Sequence, residues 1–80
     1  MSLTQKQADY IASTLQGEFN KVAEFQSTSS LNCGPKVNVY PVDKASEATL
    51  KAIEARANQL AGFTMDRSDF EFKTGRKHGR

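Results

Sequence analysis

The residue types best suited to chemistry are scarce in this 80-residue chain: Cys33 is the single cysteine and His78 the single histidine. A nucleophilic thiol needs a base within hydrogen-bond reach and a third group to orient that base. The only imidazole sits near the C-terminal end, far along the chain from Cys33, which reads instead as a small residue in the turn Asn32-Cys33-Gly34-Pro35. A structural zinc site takes about four Cys or His ligands, so one of each excludes it for a monomer. Asp66, Asp69 and Glu71 form an acidic cluster, but a calcium loop wants closely spaced oxygens around a glycine turn. These acids are interleaved with Phe70 and Phe72, the pattern of a solvated strand face. The same segment offers no closed pocket that would shift a carboxyl group for acid–base work. Phosphate-binding loops open helices, whereas Gly34 precedes a proline and Gly75 begins a basic tail. No catalytic, cofactor-binding or metal-binding residue is assigned. The expectation is a protein without a cofactor that is not an enzyme.

Charge is more informative when split along the chain. Lys73, Arg76, Lys77 and Arg80 are four cations with no acid among them. Residues 1–72 hold the other seven basic residues and all nine acids, a net of −2. The positive balance therefore belongs to the tail, whereas a nucleic-acid-binding domain spreads positive charge over a folded face. A glycine-spaced basic tail is nonetheless able to follow a phosphate backbone. Lys73, Arg76, Lys77, His78 and Arg80 are thus candidate partner-binding residues.

The elements that position these residues follow from spacing. Thr4 and Gln7 fit a capping box, with Ser2 and Gln5 as a competing start. Ala8, Ile11, Leu15, Phe19, Val22 and Phe25 recur at gaps of three or four, the stripe of one helical face, and Tyr10 and Ala23 widen it. The spacing predicts a helix over about 5–26. Gly17 leaves an alternative, in which it ends the helix and residues 18–27 form a strand, giving the order α-β-β-α-β. The segment 27–35 is punctuated as a loop by its serines, glycine and proline. Lys36-Val37-Asn38-Val39-Tyr40 alternates as a half-buried strand should, over 36–41, with Pro41 ending it or marking a sheet edge. Asp43 or Ser46 caps a second helix over 46–61. Its buried stripe is Leu50, Ile53, Ala57 and Leu60, and Gly62 stops it. Asp69-Phe70-Glu71-Phe72-Lys73 alternates strictly, predicting a strand over 68–74.

The fold expected is α+β: a single domain over 1–74, both helices on one face of a two- or three-stranded sheet, and a basic tail over 75–80. A parallel crossover from the first strand to the last suits the helix length, with antiparallel pairing left open. Such a sheet has a face away from the helices, carrying Asn38 and Tyr40, and these join the candidate binding residues. Phe19, Phe25, Phe70 and Phe72 are expected in the core, while Tyr10 and Tyr40 could stack on bases. With 38% hydrophobic and 25% charged residues, neither disorder nor a fibre is indicated.

No apolar run approaches the ~20 residues of a membrane span, and a lone cysteine is unlike a small secreted domain. A cytoplasmic protein is expected. The favoured function is docking onto a macromolecular partner, a protein or ribonucleoprotein complex. Gene size alone, with no support from the residues, adds the narrower version of a phage- or mobile-element-encoded inhibitor of a host complex, anti-CRISPR-like or anti-restriction-like. The alternative is a nucleic-acid-binding accessory protein using the tail and the adjacent sheet face. A homodimer is compatible with so small a core.

Overall fold

The computed structural model describes residues 3–30 and 34–74. Among them it holds helix α1 (Gln5–Glu18), strands β1 (Ala23–Ser30) and β2 (Gly34–Pro41), helix α2 (Glu47–Ala61) and strand β3 (Phe70–Phe72). Two helices and a three-stranded mixed sheet make a small α+β domain. Cys33 and the tail residues Arg76, Lys77, His78 and Arg80 lie outside the described residues, as does Ser2 of the competing helix start.

α1 begins where its sequence says it should. Thr4 Oγ1 accepts from the Gln7 backbone N–H at 3.1 Å, and Gln7 Oε1 accepts from the Thr4 N–H at 2.9 Å. Two donors at the open end of the helix are thereby satisfied by one pair of side chains. Ala8, Ile11, Ala12 and Leu15 make its buried face. Tyr10, expected to widen that stripe, is instead 57% exposed, because the apolar arc is narrow and Tyr10 falls outside it.

The expected helix over 5–26 is corrected. α1 stops at Glu18, one residue past Gly17, and the chain turns through 19–22 into β1. The turn is closed by the Ala23 N–H donating to Phe19 O at 3.1 Å. Phe19 and Val22 fit the helical spacing, yet here they lean on the core from the turn. Ala23 and Phe25 are buried and Glu24 exposed, the period of two proper to a strand. An eight-pair antiparallel register with β2, from Ala23 opposite Pro41 to Ser30 opposite Gly34, decides the matter. For the same reason β1 runs into Ser27-Thr28-Ser29-Ser30, which local composition marks as loop. Serines are weak strand formers, but the antiparallel register with β2 continues to Ser30 opposite Gly34, which outweighs propensity.

β2 starts at Gly34 rather than Lys36 and is the central strand, not an edge. Pro41 is tolerated because it ends the strand. β3 runs parallel to β2, with Val37 opposite Phe70 and Val39 opposite Phe72. It is shorter than the expected 68–74, since Asp69 and Phe70 donate back to Asp66 O in a turn. α2 is capped by Ser46, whose Oγ accepts from the Thr49 N–H at 3.1 Å. It ends at Gly62 with φ +85°, a left-handed conformation that suits glycine.

One cluster unites these elements: Ile11 and Leu15 from α1, Phe25 from β1, Val37 and Val39 from β2, Ile53 and Ala57 from α2, and Phe70 from β3. Ile11, Leu15, Val37, Val39 and Ile53 are its largest fully buried side chains. Phe19 and Phe72, with Leu60, pack against it partly buried. Residues of both helices therefore share one core cluster with Val37 and Val39, the odd-numbered residues of β2. Two substitutions test this account by urea denaturation. Thr4→Ala should cost about 1 kcal/mol through the lost cap. Leu15→Ala should cost about 2–5 kcal/mol through the cavity it leaves, a large share of a small domain's stability.

Candidate functional site

Alternation along β2 sends Val37 and Val39 into the core and puts Lys36, Asn38 and Tyr40 on the opposite face. The strand registers set their neighbours: Gln26 and Glu71 flank Asn38, Thr28 lies beside Lys36, and Glu24 beside Tyr40. The face is thus polar across all three strands. Lys36 Nζ donates to Glu71 Oε1 at 2.6 Å, and Lys73 Nζ lies 3.5 Å from the same oxygen. Tyr40 donates to Gln26 Oε1 at 3.4 Å. Two of the predicted binding residues, Asn38 and Tyr40, therefore share this face with Lys73, which enters it through its contact with Glu71. The other four, Arg76, Lys77, His78 and Arg80, are outside the described residues.

Asn38 and Tyr40 are not the freely exposed side chains expected from a bare sheet: they are 8% and 7% exposed. Their position on the central strand, between long side chains on both sides, explains the difference. Asn38 Oδ1 is buried and has no hydrogen-bond partner among the described residues. An unpaired buried acceptor costs roughly 1–3 kcal/mol, so its presence at the centre of the face is notable. Tyr40, buried to this degree, does not offer an open ring for stacking on bases.

Glu71 is the electrostatic centre of the face. The hydrogen bond from Lys36, with the charges of Lys36 and Lys73, holds its carboxyl below the ordinary glutamate value of 4.5. Reading the strand by composition alone had made Glu71 a solvated outer residue. The missing signal was register, because the partner Lys36 lies 35 residues away along the chain. Glu71 does not gather with Asp66 and Asp69. Asp66 Oδ1 instead accepts from the Ser68 hydroxyl at 2.6 Å and the Ser68 N–H at 3.0 Å. Among the described residues no group of three or more His, Cys, Asp or Glu side chains converges as a metal site would require. No helix among them is long and apolar enough to cross a membrane.

The chain matches no family model, no curated protein and no solved structure. Any function must be argued from the residues themselves.

A depressed carboxyl value gives the face a pH signature. Its stabilisation is fully present above the unfolded glutamate value and is lost as pH falls through the lower folded one. Thermal melting measured from neutral to strongly acid pH should show this loss in the native chain. Glu71→Gln should lack the Glu71 share of the dependence, and the two curves should converge at the acid end.

Proposed function

We propose that this protein is a non-enzymatic binding module that docks the polar sheet face around Asn38 onto a protein partner. The observation that carries the reading is Asn38 Oδ1, unpartnered among the described residues, at the centre of a face where Lys36 and Lys73 engage Glu71 and Tyr40 engages Gln26. A valine would suit this central-strand position better, given the strand preference of β-branched residues. An asparagine that stabilises less than the obvious alternative fits a group kept for an external donor, such as a partner's N–H. Lys36, Lys73 and Glu71 flank it on long side chains, and their rearrangement on docking would admit that donor.

A nucleic-acid partner is the second reading, resting on Lys36, Lys73 and the basic residues beyond Thr74. What favours the protein reading is charge. Lys36 and Lys73 are both committed to Glu71, and Glu24 stands beside Tyr40. Described residues of this face therefore contribute two cations and two anions, a poor match for a phosphate backbone. An inhibitor of the kind that phages and mobile elements carry would be one member of the protein-binding class, and nothing on this face singles it out.

Asn38→Val separates a functional asparagine from a structural one. It should raise the urea midpoint, by about 1 kcal/mol or more in stability, and abolish capture of the partner retained by the native chain from a cell extract. Loss of stability together with unchanged capture would defeat the proposal. Titration against DNA and RNA at two salt concentrations addresses the second reading, comparing the full chain with one ending at Thr74. Tight, salt-sensitive binding lost on truncation would establish it in place of the first.

A further inference from the structure

The outer edge of β1 carries a second feature. Even-numbered residues of β1 face β2, as the Val42 N–H bonded to Val22 O at 2.9 Å shows for the adjoining pair. The odd-numbered main-chain groups therefore point away from the sheet. At one end α1 satisfies them: Gln16 Oε1 accepts from the Phe25 N–H at 2.9 Å, and Gln16 Nε2 donates to Ala23 O at 3.3 Å. One carboxamide thus makes the pair of bonds that a peptide group of a neighbouring strand would make. Beyond it, the Phe25 carbonyl and both main-chain groups of Ser27 and Ser29 have no partner among the described residues. They border an open groove of about 680 Å³ between α1 and β1, lined by Asp9, Ser13, Gln16, Phe25 and Ser27 among others.

Charge decides what fits there. Asp9 Oδ1 accepts from the Ser27 hydroxyl at 2.6 Å and from Gln5 Nε2 at 3.0 Å. Asp9 Oδ2 has no partner among the described residues. The Ser27 and Gln5 hydrogen bonds also hold the Asp9 carboxyl below its ordinary value, so it is ionised at neutral pH. Among the described residues no lysine, arginine or histidine lines the groove. A second copy pairing through β1 about a two-fold axis at Ser27 would bring two Asp9 carboxylates together, an arrangement that disfavours edge pairing. A strand bearing a cation meets the opposite condition.

We propose that the β1 edge from Phe25 to Ser29 is a strand-addition site for an extended, lysine- or arginine-bearing peptide segment of a partner protein, with Gln16 closing one end and Asp9 receiving the cation. Main-chain pairing supplies affinity in this mode and side-chain contacts supply selectivity. The proposal rests on the binding-module reading but uses a different surface, so the two fail separately.

Selection of a random displayed peptide library against the full chain at low salt tests it, followed by amide-shift mapping of the enriched peptides. The peptides should carry Lys or Arg and move the Phe25, Ser27 and Ser29 amides. Asp9→Lys should weaken them at least tenfold, Asp9→Asn should weaken them less while keeping the fold, and Asn38→Val should leave them unchanged. In the free chain the Ser27 and Ser29 amides should exchange with solvent faster than those of Gln26 and Thr28. The proposal is overturned by an unenriched library, by shifts centred on Asn38 and Glu71, by binding indifferent to both Asp9 variants, or by self-pairing of the native chain through Ser27.

Discussion

The described strands of this molecule are arranged around the central strand β2. Its even-numbered residues hydrogen-bond to β1 and its odd-numbered residues to β3, as the Val37 N–H donating to Asp69 O at 2.8 Å and the Lys73 N–H donating to Val39 O at 2.7 Å illustrate. The same alternation sends Val37 and Val39 into the core, fully buried, and Lys36, Asn38 and Tyr40 to the other face. A shift of one residue in the register would exchange these two sets of side chains. Core, polar face and both strand pairings therefore depend on one register.

α1 does more than cover the sheet. Its apolar stripe supplies Ile11 and Leu15 to the core, while its flank supplies Asp9 and Gln16 to the edge of β1. The two flanking residues are seven positions apart, which is about two turns, so they reach the strand at successive points along it. Sheet edges left bare invite unwanted pairing. Here a side-chain amide closes part of the edge and a carboxylate sets the charge beside the rest. An exposed pair, Arg56 with Glu18 at 2.9 Å, ties α1 to α2, and pairs of this kind add little stability.

A domain this small has little stability to spare, which gives weight to groups that do not serve the fold. Among the described residues, the unpartnered Asn38 Oδ1 and the unpaired edge beyond Phe25 are the two features we take as such, on different surfaces. The first concerns side chains on the polar face and the second concerns main chain. Both are proposed to serve recognition of another protein, one through a buried acceptor and the other through strand pairing.

Some of this was legible in the residues alone. Thr4 with Gln7, Ser46 and Gly62 delimit the helices because capping is local, requiring only a few neighbouring residues. Val37 with Val39, and Phe70 with Phe72, announce their buried faces because alternation is equally local. The end of α1 was not legible: Phe19, Val22 and Phe25 satisfy a helical period, and only pairing with β2 shows that Phe25 belongs to a strand. The serines at 27–30 are strand for the same non-local reason. Sequence marked Asn38 and Tyr40 as lying on the face away from the core, but their burial, and the joining of Lys36 to Glu71, depend on strand registers. Composition and spacing thus determined which residues are apolar, capping or charged. Tertiary structure decided which of them meet, because register and edge position arise only when segments distant in the chain pair.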